Sequence, residues 1–253
     1  MDQTSPNQIS PLDHNLALSQ SRKYSFSVRE ITEGELEEVC RIAAQAFLDD
    51  AITNFFAGLE EFPNSLSTPG GLRIHHIYSF VVKSCFYIGG RVVVVTASDA
   101  TTLAKNKSGE KIAGVACWAP PGKRMNVFNI PLTIRCGGLK VLKEVGMSGF
   151  KRIILEFMSL TEKTHSKTFR NSLYPGSEVR RKQEKLTPND AWYLALVMTV
   201  KEFEGNGCLS LLMREAYGHA HSLGSTAPFM LESSTPRSRD RYGHLGFEAA
   251  PED

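Results

Sequence analysis

The sequence has few of the features that mark secreted, membrane-spanning or metal-binding proteins. It contains five cysteines, an odd number, and none of them stands in a CxxC or Cys/His spacing. We therefore expect no disulfide framework and no metal site, and predict free thiols in a reducing compartment. No apolar run approaches the roughly 20 residues that cross a bilayer, and the opening segment MDQTSPNQISPLDHN has no apolar signal core. These absences predict a cytoplasmic protein without a membrane partner.

An excess of charge of either sign is also missing. The 29 basic and 27 acidic side chains leave a formal net charge of +2. Nothing in this balance indicates a nucleic acid held by counterion release, so we expect no nucleic-acid partner. One short basic run, formed by Arg180, Arg181, Lys182 and Lys185, is more typical of a solvated loop than of a binding patch.

The composition is that of an ordinary globular protein. Apolar residues make up 42% of the chain and charged residues 22%. Residues 1–22 carry too few large apolar groups to bury surface and order themselves. We therefore predict a disordered tail over residues 1–22 and a single domain over residues 23–253, because no linker-like segment divides the remainder.

Hydrophobic periodicity predicts the order of helices and strands in this domain. A strand begins at Tyr24, and Thr32 opens a helix with Glu35 three residues later, a capping-box pattern. A helix from Leu72 to about Ile88 precedes two β-prone segments, RVVVVTAS and KIAGVACWAP, which predict a hairpin. Residues 123–190 are largely helical in pattern and predict an insertion between two strands of one sheet.

The rest of the chain is organised around the stretch from Ala191 to Leu223. It consists of an apolar segment, AWYLALVMT, a turn with Gly205 and Gly207, and a segment with helical spacing. The apolar segment predicts a strand covered on both faces, of the kind found at a sheet centre. A glycine turn before a helix presents unpaired backbone amides at the positive end of the helix dipole, which suits a phosphate. An ordinary strand-to-helix turn explains the same residues, since two glycines make a weak motif.

Three stretches together resemble the GCN5-related N-acetyltransferase superfamily. They are WYLALVMT followed by EGNGCLSLLM, then FMLESS, then RYGHLGFE. The layout, with its helical insertion, is most similar to the fungal and bacterial small-molecule acetyltransferases of the puromycin acetyltransferase type. The resemblance implies an α/β fold with a mixed, mainly antiparallel central sheet flanked by helices. It also implies acetyl-CoA as co-substrate and no metal.

The resemblance further implies a cofactor site. In that family a turn of pattern Arg/Gln-x-x-Gly-x-Gly/Ala wraps the pyrophosphate, and the preceding strand pairs with the pantetheine arm. Carried onto this chain, the cofactor-binding positions are Val197, Met198, Thr199, Glu204, Gly205, Asn206, Gly207, Cys208 and Leu209. Gly207 matches the pattern. Glu204 replaces the usual Arg or Gln and Leu209 the usual small residue, so we expect a weaker affinity for the cofactor.

The same resemblance implies two catalytic residues. Tyr242, three residues before the Leu-Gly-Phe run, stands where the family places the tyrosine that protonates the leaving sulfur. Packing against a helix is the alternative role for this side chain. Glu232 follows a predicted strand and is the candidate base, and pairing with Arg237 or Arg239 explains its position equally well.

The expected activity is direct transfer of an acetyl group from acetyl-CoA to the primary amine of a small molecule. A relative that binds acyl-CoA or a protein partner without turnover is the second hypothesis. It is motivated by Glu204, by Leu209 and by the few residues, Glu248 to Asp253, left for a final strand. Transfer to a protein amine is the third and weaker hypothesis, because a long insertion suits a closed cleft. We expect a monomer or a homodimer.

Overall fold

The computed structural model describes residues 24–99, 110–171 and 186–249. The predicted tail and the basic run at 180–185 lie outside these residues. Within them, no helix combines the length and the apolar character needed to cross a bilayer.

A five-stranded sheet forms the middle layer of the domain, in the spatial order β1-β2-β3-β4-β5. Its strands are β1 (Tyr24–Glu30), β2 (Arg91–Asp99), β3 (Lys111–Ala119), β4 (Trp192–Thr199) and β5 (Phe229–Met230). The first four strands pair antiparallel, whereas β4 and β5 run parallel. This arrangement confirms the mixed, mainly antiparallel sheet and the β2–β3 hairpin pairing.

Helices cover both faces of this sheet. The bounds are α1 (Leu36–Ala46), α2 (Ala51–Ala57), α3 (Pro69–Tyr87), α4 (Ile130–Arg135), α5 (Gly138–Lys151), α6 (Ser159–Asn171), α7 (Cys208–Ser222) and α8 (Pro236–Gly243). A π-helical segment, Arg152–Met158, joins α5 to α6. Within the described residues, the part of the predicted insertion from Ile130 to Asn171 is mainly helical.

Alternating side chains of the strands enter two separate cores. Val93, Val95 and Trp118 pack with α7 on one face, whereas Val92 and Val94 pack with α1 and α3 on the other. Successive side chains of these strands therefore lie on opposite faces of the sheet, and both faces are buried.

The structure differs from the predictions at β4 and β5. The strand with both faces most completely covered is β3, whose last seven residues are buried, and β4 is its neighbour. The FMLESS segment forms only a two-residue strand, Phe229–Met230, because the chain leaves β4 after this point.

A 3₁₀ turn, Glu33–Glu35, begins with the predicted capping box and leads into α1. Thr32 N donates to Glu35 Oε2 at 2.8 Å, and Arg29 holds the same carboxylate through Nη1 at 3.0 Å. The hydrogen bond from Arg29, followed by that from the Thr32 backbone, lowers the pKa of Glu35 to about 2. These contacts tie the end of β1 to the start of α1.

We predict that Glu35→Gln lowers the free energy of unfolding at neutral pH by about 0.2–1 kcal/mol, because the pair is partly exposed. The carboxylate has a depressed pKa in the folded state, so its contribution is present above about pH 4.3 and is lost as the pH falls towards 2. Urea unfolding of variant and wild type should therefore converge at low pH. The exposed Glu61 supplies the control, since Glu61→Gln should have little effect at either pH.

Candidate functional site

The sheet opens between β4 and β5. The two strands pair only at Trp192 with Phe229 and at Tyr193 with Met230. Beyond Tyr193, the rest of β4 as far as Thr199 has no strand on this side among the described residues. The result is a strand edge without a strand partner among the described residues, the kind of edge with which an extended ligand can pair.

A β-bulge lies at the point where the opening begins. Leu194 faces Trp118 and Leu196 faces Cys117 on β3, so Ala195 is the additional residue on β4. Leu194 packs with the α7 core and Leu196 with the α1–α3 core. The bulge therefore moves the buried side chains of β4 from the α7 face of the sheet to the α1–α3 face. It also changes the direction of the main chain beside the opening.

The open edge presents main-chain groups at two of the three predicted positions. Val200 N donates to Ala113 O on β3 at 2.8 Å. Backbone groups alternate in direction along an antiparallel strand, so Thr199 and Val197 turn their N–H and C=O groups to the open side. The N–H and C=O groups of Met198 point towards β3, and its side chain is buried.

The turn between β4 and α7 has the conformation that the glycines predicted. Gly205 and Gly207 both have φ of 79°, and a Cβ at either position would meet nothing within 4 Å. No side chain caps the start of α7. The amides of Gly205, Gly207, Cys208, Leu209 and Ser210 accordingly have no hydrogen-bond acceptor among the described residues. Such a group of free amides at a helix N-terminus attracts anions.

The side chains around this turn leave it accessible. Leu209 is half-buried and packs against the α7 core instead of covering the turn. Cys208 is buried, and its Sγ lies 3.8 Å from Phe203 O. Asn206 donates through Nδ2 to Phe203 O at 3.2 Å, which stabilises the turn. Glu204 is exposed, so solvent screens the repulsion between its carboxylate and an anion bound at the turn.

Tyr242 lies on α8 and contacts the same core as the open edge. Its ring packs on Phe247, with centroids 6.0 Å apart, and both Tyr242 and Val197 adjoin the α7 core. Its hydroxyl has no hydrogen-bond partner among the described residues. Burial raises the pKa of Tyr242, so the hydroxyl is protonated at neutral pH and can act as a donor.

Glu232 lies two residues after the end of β5 and has two partners. Tyr193 donates its hydroxyl to Glu232 Oε2 at 2.9 Å. On the other side, His165 Nε2 of α6 approaches Glu232 Oε1 to 2.7 Å. The arginines considered as partners from the sequence, Arg237 and Arg239, are not the groups in these two contacts. Glu232 therefore links the end of the sheet to the helical insertion.

Arg124, in the loop after β3, completes this polar cluster. Its guanidinium lies 4.9 Å from the ring centroid of Tyr193 and donates through Nη2 to Pro188 O and to Ala191 O, the latter at 3.2 Å. Burial lowers the pKa of Arg124, and burial together with the charge of Glu232 raises that of Tyr193. These four side chains, Arg124, His165, Tyr193 and Glu232, are called the apex cluster below, because they meet where β4 and β5 separate.

Three members of the apex cluster were missed by the sequence reasoning. Tyr193 lies inside an apolar run, Arg124 in a loop and His165 in a helix of mixed composition. No spacing relates them, since they lie far apart in the chain. The one signal in the sequence was the hydroxyl of Tyr193, a polar group within the otherwise apolar predicted strand.

An apolar groove lies between α2 and the insertion. Its volume is about 370 Å³. The residues lining it are mainly aromatic and aliphatic, with one charge of each sign: Ala51, Ile52, Phe55, Phe56, Arg152, Glu156, Phe157 and Leu160. The π-helical segment supplies three of these side chains, and such segments are frequent at functional sites. The described residues contain no group of three or more side chains placed to hold a metal.

Comparison with known proteins supports the fold that these elements build. No family model and no curated protein matches the sequence. Among solved structures, the chain is similar to the crystal structure of histone acetyltransferase HPA2 and related acetyltransferase from Corynebacterium glutamicum, with a TM-score of 0.51 and 17% identity. The match covers 90% of this chain and 90% of that chain. At this identity the likeness shows the fold alone.

The positive φ of Gly207 leads to a prediction about the turn. We expect Gly207→Ala to lower the free energy of unfolding by about 1–2 kcal/mol, because an L-residue is strained at φ of 79°. Gly218 lies within α7, is exposed and has open space where a Cβ would lie. Gly218→Ala should instead stabilise the protein by about 0.5–1 kcal/mol. Urea denaturation measures both, and equal effects at the two positions would contradict the strained-turn account.

Proposed function

We propose that this protein transfers an acetyl group from acetyl-CoA to the primary amine of a small molecule. One observation carries the proposal: an open edge of β4 leads directly to a turn whose amides have no acceptor among the described residues. A ligand with an extended arm and a diphosphate matches these two features in that order. The acetyltransferase fold supports the same assignment.

In this proposal the amides around Gly205 and Gly207 bind the pyrophosphate of acetyl-CoA. The pantetheine arm lies along β4 and pairs with the main chain of Val197 and Thr199. From Thr199 to Tyr193 the strand is about 20 Å long at roughly 3.3 Å per residue. The thioester would then lie near the bulge at Ala195, beside the apex cluster.

Acetyl transfer needs a base for the amine and a proton for the leaving thiolate. Tyr242 is the proposed acid, supported by its unpartnered hydroxyl and by the burial that keeps it protonated. The apex cluster is the proposed proton-accepting side, with Glu232 as the predicted residue. Glu232 follows β5 on the far side of the opening from the α7 turn and contacts the insertion through His165, which supports entry of the amine from that side.

The proposed acceptor is a small amine with an apolar body, as in the puromycin acetyltransferase type. The contact of α6 with Glu232 supports it, because the insertion covers the acceptor side of the opening. The groove beside Phe55 and Phe157 offers surface for an apolar body. We further propose that the protein acts in the cytoplasm as a monomer or homodimer, with no nucleic-acid or membrane partner and no metal.

The experiment is titration of the full chain with acetyl-CoA by calorimetry, followed by release of free thiol with a panel of small amines and of lysine peptides. Binding together with thiol release on small amines supports the proposal. The absence of binding at millimolar concentration would reject it. Faster release with peptides would move the acceptor to proteins, the class for which the similar histone acetyltransferase is named.

A protein that binds the cofactor without turnover is the second candidate function. The exposed carboxylate of Glu204 beside the proposed pyrophosphate site favours it. We expect Glu204→Gln to tighten acetyl-CoA binding by up to about fivefold, which corresponds to about 1 kcal/mol near water's dielectric constant. Binding without thiol release in both proteins would select this candidate.

We predict that Tyr242→Phe lowers kcat by about 10²-fold or more, since general acids contribute on this scale. The affinity for acetyl-CoA should stay unchanged, because the hydroxyl is proposed to act on the sulfur only as it leaves. Tyr217 packs on the same Phe247 and donates to Leu245 O at 3.2 Å. Tyr217→Phe is therefore the matched control, which should cost stability but not kcat. Equal loss of kcat in both variants would contradict the acid role.

A further inference from the structure

Of the two carboxylate oxygens of Glu232, one is hydrogen-bonded and the other is buried within the apex cluster. Oε2 accepts the hydroxyl proton of Tyr193, and Oε1 lies 2.7 Å from His165 Nε2. Oε1 is buried and has no well-aligned hydrogen-bond donor of its own. A substrate amine therefore has no free oxygen of this carboxylate to reach, although Glu232 lies at the opening.

His165 has the opposite arrangement, with one ring nitrogen covered and the other accessible. Nε2 is buried 2.7 Å from Glu232 Oε1, although the two atoms are not aligned as a hydrogen bond, whereas Nδ1 has no hydrogen bond to a described residue. The His165 and Tyr193 rings lie 6.0 Å apart in an edge-on arrangement, which keeps the imidazole beside the opening. A carboxylate facing one ring nitrogen favours the proton on that nitrogen and leaves the other as a lone pair.

We propose that His165 is the base of the acetyl transfer and that Glu232 is its positioning residue. This inference rests on the proposed function and names the residue that accepts the proton. The carboxylate of Glu232 holds the Nε2–H tautomer, and Nδ1 receives the proton of the incoming amine. The base thus comes from the helical insertion and not from the sheet.

The proposed step balances in atoms and charge. Nδ1 takes one proton from the ammonium group, and the neutral nitrogen then attacks the thioester carbonyl carbon. The C–N bond forms, the C–S bond breaks, and the sulfur leaves with the hydroxyl proton of Tyr242. The second proton of the nitrogen returns to the tyrosinate through solvent, and His165 releases its proton to solvent. The products are the acetamide, free CoA thiol and one proton.

The charges around His165 come from each neighbouring element. Glu232 follows β5, Tyr193 lies on β4, and Arg124 lies over the Tyr193 ring from the loop after β3. The 3₁₀ turn Pro188–Asp190 adds Asp190, whose pKa is lowered by hydrogen bonds from the Thr187 backbone and side chain. The only one of these groups in contact with a nitrogen of the imidazole is Glu232, so its removal should alter the behaviour of His165 most.

The first test does not depend on activity. Long-range ¹H–¹⁵N NMR of the full chain, with His165→Gln used to assign the signal, reports the tautomer of the imidazole. We expect Nε2–H with a bare Nδ1 above the titration of the ring. In Glu232→Gln we expect the preference for the Nε2–H tautomer to be lost, because the carboxylate that faces Nε2 is gone. An Nδ1–H tautomer in the wild type, or an unchanged tautomer in Glu232→Gln, would overturn the pairing.

The second test follows kcat/KM against pH by thiol release. Loss of a general base lowers the rate by about 10²–10⁴-fold, so we expect this loss of kcat/KM in His165→Gln. The fall of kcat/KM at acidic pH that the wild type shows (the acidic limb) should be absent from this variant. Glu232→Gln should keep the limb. Added imidazole should restore part of the rate of His165→Ala. The affinity for acetyl-CoA should be the same in all variants.

The control is His221→Gln, an exposed histidine on the last turn of α7, which should leave rate and pH profile unchanged. If Glu232→Gln removes the limb and His165→Gln keeps it, Glu232 is the base and the inference is wrong. If wild type releases no thiol with any amine, the proposed function and this proton transfer both fail. The NMR result then still decides whether Glu232 orients His165.

Discussion

The separation of β4 from β5 after two paired positions governs the architecture of the site. Buried backbone N–H and C=O groups need partners, and an edge strand normally finds them in a neighbouring strand. Here β4 continues to Thr199 while the β5 segment turns away at Met230. The unpaired edge is a cost that the fold tolerates, and a ligand that pairs with it removes that cost.

Three neighbouring features make the two ends of this opening chemically different. The free amides before α7 lie at the end of β4, the bulge at Ala195 lies near its beginning, and the apex cluster lies where the strands part. The turn amides and the apex cluster therefore lie at opposite ends of one strand, where the proposed function needs an anion site and a proton acceptor. The helical insertion contributes to the second end through His165, which connects the insertion to the end of the sheet.

Much of the fold followed from patterns that are local in the chain. The β-prone run in β2, the capping box at Thr32 and the helical character of the insertion each depend on residues a few positions apart. The glycine turn was predictable for the same reason, because positive φ is a property of single residues. The short β5 was not, since a strand ends where its partner moves away, and that depends on the whole sheet.

The sequence alone therefore specified the elements, their order, the two-sided burial of the sheet and the free amides of the turn. It also placed Glu232 and Tyr242 near the end of the domain. The opening beside β4 and the contact of His165 with Glu232 arose only on folding. The reason is physical: these contacts join residues 39 to 67 positions apart in the chain, and no periodicity encodes where such distant groups meet.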